Sequence, residues 1–146
     1  MNAGPDPRAT AYLVFAQDTS TTLDVAAWDR QAARFFGKTL LSATPDGSQV
    51  ILESGEQRGG RRVFARPREV ADLALAERAE ARTGGGMGLL ARRCPVVWHV
   101  VREGEPDLVA LELAAIVASV VLGPILDARV PELLGVKTAR ARLEGA

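Results

Sequence analysis

From Leu108 to Leu126 the chain reads LVALELAAIVASVVLGPIL, and only Glu112 and Ser119 interrupt its apolar side chains. Any fold must find a place for this stretch out of water. As a helix rising ~1.5 Å per residue it would nearly cross a hydrocarbon core of about 30 Å. Three features argue against a membrane span: the Glu112 carboxylate, the helix break at Gly123-Pro124, and the lack of a Trp or Tyr belt. The expected structure is a core helix ending near Leu122, apolar all round because it is enclosed behind a sheet. Any part of its surface left uncovered would suit a homodimer or partner interface.

The strands that such a helix would cover are visible in the pattern. Pro95 to Arg102 is apolar on both faces, with Val96, Trp98 and Val100 alternating against Val97, His99 and Val101. Ala11 to Ala16 is likewise apolar on both faces and reads as an interior strand. Lys38 to Ala43 and Ser48 to Ser54 flank Pro45-Asp46-Gly47, whose residues suit a tight turn. Gly55 to Gly60 reads as a polar loop and Arg61 to Arg66 as a third, more exposed arm.

Helices separate these strands. The stretch from Asp18 to Thr22 is a start signal, with Thr21 and Asp24 as an imperfect capping box. Val25, Trp28, Ala32 and Phe35 then form one apolar stripe, and Gly37 terminates the helix. A second helix is expected from about Arg68 to Arg82, with Val70, Leu73, Ala74 and Ala81 as a thin stripe. Thr83 to Gly88 breaks it, and Leu89 to Arg93 forms a further turn. Asp107 is the expected N-cap of the apolar helix, and a last exposed helix runs over Thr138 to Glu144.

The expected order is therefore β-α-β-β-β-α-β-α, in an α+β fold with an antiparallel or mixed sheet of about four or five strands. With one hairpin arm set aside, this is the order of a ferredoxin-like sandwich, here with an added apolar C-terminal helix. Residues 1–9 are expected to be a flexible arm and residues 10–146 a single domain, with a C-terminal tail from about 127. One tension remains: the last strand of that sandwich is an edge, yet Pro95 to Arg102 is apolar on both sides.

Composition narrows the chemistry. Eighteen basic residues balance eighteen acidic ones, so no net charge favours nucleic acid or an anionic membrane. One cysteine, Cys94, and one histidine, His99, cannot make a Cys/His zinc site, and no metal or cofactor is expected. A chain without an intrachain disulfide and without a long apolar leader is expected in the cytoplasm.

No motif assembles a catalytic set. Pro45-Asp46 followed by Glu53-Ser54-Gly55 lacks the lysine of a metal-dependent nuclease, and seven strand residues put the two carboxylates about 23 Å apart. The glycines of Thr83 to Gly88 follow a helix and lack a Lys-Ser/Thr partner, so they read as a hinge. Cys94 and His99 are separated by roughly 16 Å of strand, too far for a nucleophile pair.

Two sets of candidates remain. Arg58, Arg61, Arg62, Arg66 and Arg68 form a basic cluster with Phe64 interleaved. It suits a solvated face or an acidic protein partner better than nucleic acid, because Glu53, Glu56 and Glu69 dilute it. Glu112 is a carboxylate inside an apolar helix, and an internal salt bridge is its default role. The leading expectation is a small protein-binding module, of immunity, antitoxin or accessory type, acting on another protein or on itself. The alternative is a small-molecule-binding protein or enzyme with a pocket between sheet and helix, lined by His99, Glu112 and Tyr12, and a second alternative is a nucleic-acid-binding protein.

Overall fold

The computed structural model describes residues 6–37, 39–55 and 57–145. Strand β1 (Ala11–Ala16) is buried along its whole length. It lies between β6 (Val96–Val101) and β7 (Ile125–Asp127), antiparallel to both. Outside these are β5 (Val63–Pro67), paired to β6, and β8 (Glu132–Leu134), paired to β7. The resulting five-stranded antiparallel sheet has the order β5-β6-β1-β7-β8. The doubly apolar β6 is thus an interior strand, which accounts for its composition.

Each face of this sheet has its own cover. Tyr12, Val14, Ala16, Val96, Trp98 and Val100 share a core with helix α4 (Leu108–Val121). Residues Val109 to Ala118 of α4 are all buried, as an all-round apolar helix should be. Full enclosure of Leu113, Ile116 and Val117 removes apolar surface worth about 1.5–3 kcal/mol for each side chain. On the other face Leu13, Phe15, Val97 and Leu126 pack with Ala76, Ala79 and Ala91. These alanines belong to α2 (Val70–Thr83) and α3 (Met87–Arg93).

A second sheet holds β2 (Leu40–Ala43), β3 (Val50–Glu53) and β4 (Arg58–Arg61), in that order and antiparallel. Leu41, Val50 and Leu52 join the same core as α4. Helix α1 (Val25–Phe36) lies against β2 and α4, with the Trp28 ring edge-on to Trp98 at 5.0 Å.

Several expectations change here. The third arm, Arg61 to Arg66, is two strands in two sheets. The chain crosses over at Arg62, whose carbonyl accepts from the Val101 N–H. The ferredoxin-like order is not the one observed. In that sandwich a hairpin strand would flank β1 opposite the last strand, and here β7 takes that place. The Gly123-Pro124 break turns the chain back along β1, where the Phe15 N–H donates to the Pro124 carbonyl at 3.0 Å.

The segment after residue 127, expected as a tail, carries β8 and helix α5 (Val136–Glu144), which packs on α4. Of the expected loose arm, residues 1–5 lie outside the described residues, while Asp6 to Thr10 form a turn with Ala9 N–H donating to the Asp6 carbonyl. Lys38, the expected start of β2, and the Phe35 side chain, expected in the α1 stripe, also lie outside them.

Helix α1 starts at Asp24, which caps the Ala27 N–H at 3.0 Å, rather than near Thr21. The buried stripe of α2 is Asp72, Ala76 and Ala79, not the expected one, and Val70 is 88% exposed. No helix among the described residues is long and apolar enough to cross a membrane.

Candidate functional site

Among the described residues four carboxylates are at least nine-tenths buried: Asp72, Asp107, Glu112 and Asp127. A carboxylate taken out of water is expensive unless a cation and hydrogen bonds replace its hydration. How each of the four is satisfied separates one from the rest.

Asp72 receives Arg66 through both terminal nitrogens, at 2.6 and 2.7 Å, and Arg8 Nε at 2.8 Å. The Glu69 N–H adds a fourth bond at 2.7 Å. Burial pushes its pKa up, but these donors outweigh burial and hold it at about 2. Asp107 caps α4 through the Ala110 N–H and receives Arg61 Nε and Nη2 at 2.7 and 3.0 Å. There too burial raises the pKa and the Arg61 bonds bring it below the usual range. Asp127 accepts from Arg102 at 3.1 Å and from Arg129 at 3.2 Å.

Glu112 has no such partner among the described residues. Its one hydrogen bond is with Thr39, whose Oγ1 lies 3.2 Å from Oε2. Burial drives its pKa upward, and the Thr39 hydroxyl opposes this only in part. The internal salt bridge expected from the sequence is therefore absent from the described residues, where Thr39 is the partner of Glu112.

What lies in front of Glu112 is a cavity of about 490 Å3. Four elements build it. Helix α1 ends at Gly37, whose positive φ of 70° turns the chain so that Phe36 and Thr39 form one wall. The turn between β3 and β4 supplies Ser54, Gly55 and Gln57, closed by the Ser54 N–H donating to the Gln57 carbonyl at 2.8 Å. Helix α4 supplies Glu112, and α5 supplies Arg140, Leu143 and Glu144. The Arg140 guanidinium lies 5.4 Å from the centre of the Phe36 ring.

The Thr39 hydroxyl can use its single proton once. It lies 3.2 Å from Glu112 Oε2 and 3.3 Å from the Phe36 carbonyl. A protonated Glu112 donates to Thr39, which then donates to Phe36. An ionised Glu112 takes the Thr39 proton for itself.

The other sequence candidates stand elsewhere. His99 is on the sheet face opposite Trp98, so it faces away from α4 and never meets Glu112. It is enclosed, stacked on Phe64 at 4.5 Å, and its Nε2 accepts from Arg66 Nε at 2.9 Å. Nδ1 has no hydrogen-bond partner among the described residues. Burial, reinforced by the Arg66 charge, lowers its pKa to about 4, so the ring is neutral at ordinary pH. Tyr12 lies beneath the Arg102 guanidinium, 4.8 Å from its ring centre, and does not line the cavity.

The basic cluster is dispersed and internally engaged. Arg61 is taken by Asp107 and Glu103, and Arg66 by Asp72 and His99. Arg62 covers the Phe64 ring at 4.6 Å. Arg58, 80% exposed, contacts Glu53 at 3.2 Å. Glu56, which was expected to dilute this cluster, lies outside the described residues. The Gly88 N–H, in the glycine stretch read as a hinge, donates to the Glu80 carboxylate at 2.8 Å.

Asp46 serves its turn, accepting from Ser48 and Thr44, and no group of three metal-ligating side chains occurs among the described residues. Cys94 is buried, and its thiol lies 3.3 Å from the Leu90 carbonyl.

Thr39, Phe36 and Arg140 were not candidates in the sequence, and no spacing joins them to Glu112. No protein-family model, curated protein or solved structure matches this chain.

Proposed function

We propose that the protein binds a small organic molecule in the cavity at Glu112. The observation that carries this is the contrast among the buried carboxylates. Asp72, Asp107 and Asp127 each have an arginine, while Glu112 has none among the described residues and is the one that lines the cavity. A group that costs stability and opens into a cavity is better explained by a ligand than by packing. The volume of about 490 Å3 falls in the range common for small-molecule sites.

The protein-binding reading drew on a basic cluster and on a surplus of apolar helix surface. Within the chain, Arg61 and Arg66 are committed to carboxylates and Val109 to Ala118 of α4 are enclosed, so both features lend that reading less support. A cytoplasmic setting belongs to the same proposal, supported by the free thiol of Cys94.

Protein-observed NMR with a library of small cationic, anionic and neutral fragments tests the site. The amides of Gly37, Thr39, Gly55 and Gln57 should move together for the hits. Gly55 has open space where a side chain would project, so Gly55→Trp should fill the cavity and abolish those shifts. A library without hits, or hits that survive Gly55→Trp, would remove the proposal.

A further inference from the structure

We propose that the ligand of the Glu112 cavity is a small organic ammonium on a short apolar body, its charged nitrogen seated against the Glu112 carboxylate. This rests on the pocket reading above and adds the ligand's chemical class.

The charge pattern of the walls carries it. An ionised Glu112 is acceptor-only, and its Thr39 partner has one proton to offer. Helix α1's end and the β3–β4 turn contribute only neutral groups among the described residues, namely Phe36, Ser54 and Gln57. Helix α5 contributes one guanidinium, Arg140, and one further carboxylate, Glu144. Lys38 and Glu56, which neighbour lining residues in the chain, lie outside the described residues. The described carboxylates therefore outnumber the described cations, and Glu112, the most buried of them, has no counter-ion among the described residues.

Among the described residues every other deeply buried carboxylate receives a nitrogen cation from within the chain. Glu112 receives its cation from a ligand. An alcohol or an amide would satisfy the hydrogen bonding but leave the charge uncompensated, and a carboxylate ligand would repel it. Phe36 and Leu143 offer apolar contact to the rest of the ligand.

The Thr39 hydroxyl makes the site responsive. In its protonated form, which burial favours, Glu112 donates to Thr39 and Thr39 donates to the Phe36 carbonyl. When an ammonium enters, the Glu112 proton leaves to solvent, and Thr39 turns its own proton from Phe36 to the carboxylate. The Glu112 O–H bond is the one covalent bond broken, and its proton passes to water or buffer. Ammonium binding strengthens as pH rises through the Glu112 pKa.

Isothermal titration calorimetry with benzylammonium, benzyl alcohol and benzoate distinguishes the outcomes, since the three are close in size. Benzylammonium should bind most tightly. Glu112→Gln should weaken it about tenfold or more and leave benzyl alcohol within about twofold. Over a pH series rising from 4.5, titrations in buffers of different ionisation enthalpy should show a window of proton release on benzylammonium binding to the wild type, because burial raises the Glu112 pKa. That readout needs no variant.

Tightest binding of benzoate or benzyl alcohol, an unchanged affinity in a folded Glu112→Gln protein, or binding without proton release would overturn the ligand class and leave the pocket standing. Failure of all three probes at millimolar concentration, or binding that survives Gly55→Trp, would remove both.

Discussion

Arg8 Nε donates to Asp72 Oδ1 at 2.8 Å, across 64 residues of chain. The bond closes a cage in which Arg66 grips both carboxylate oxygens and also donates to His99. It ties the N-terminal turn to the first turn of α2 and orients that helix so that Asp72, not Val70, faces inward. Asp72→Ala leaves two guanidinium groups facing one another without their anion and should cost about 3 kcal/mol. Arg8→Met keeps the Arg66 pair and should cost less. Urea unfolding of the two variants checks the order.

The pH dependence of stability should show two separate windows. His99 has a folded pKa lowered from 6.5 to about 4. The unfolded chain therefore takes up a proton first, and stability present above pH ~6.5 is lost as pH falls toward about 4, by roughly 3 kcal/mol. Asp72 is depressed from 3.8 to about 2, so its contribution is lost only below that, as pH falls from about 4 toward about 2, by roughly 2 kcal/mol. His99→Gln keeps an acceptor for Arg66 and should flatten the upper window alone. Denaturation at a series of pH values separates the two.

Glu112 behaves in the opposite sense. Its pKa is raised by burial, so the folded protein prefers the protonated form and loses stability as pH rises from 4.5 through the raised value. Glu112→Gln removes that loss. The variant should match the wild type in acid and exceed it at neutral pH, while ligand affinity falls. A melting-temperature series against pH detects a gap that widens with pH; a variant less stable at neutral pH would mean that the carboxylate is satisfied in the empty protein.

Gly123 shows how closely α4's exit is fitted to the sheet. A Cβ there would come within 1.7 Å of the Phe15 carbonyl oxygen and 3.3 Å of Cys94 Sγ. The neighbour is backbone in the central strand, which cannot give way without breaking β1. Gly123→Ala should cost about 3 kcal/mol or more, or prevent folding. Gly55→Ala, with open space around it, should be nearly neutral by the same thermal melt.

Much of the site's framework was legible in the residues. Gly37 as the stop of α1 and Asp107 as the cap of α4 are local features, decided by backbone φ and by a side chain reaching a neighbouring amide. The Asp46 turn is local in the same way. Alternation made Val96 to Val101 doubly apolar, and only an interior strand uses both faces.

The arginines misled for the complementary reason. Spacing shows that Arg61 and Arg66 are close together in the chain, but not that Asp107, 46 residues on, takes one and Asp72 the other. Asp72 itself had a signal, since an acid three residues after Glu69 suits a helix start, yet nothing local marks it as buried.

By itself the sequence determined which segments must leave water and where helices begin and stop, because those choices depend on neighbours within a turn or two. It therefore specified α4 as an enclosed helix and placed Glu112 within it. Tertiary structure alone decided that β7 rather than a hairpin arm flanks β1, and that Arg61 and Arg66 are spent on internal anions. It also decided that α1, the β3–β4 turn and α5 meet around Glu112. A carboxylate's state depends on which cations the fold brings to it, and those come from residues distant in the chain.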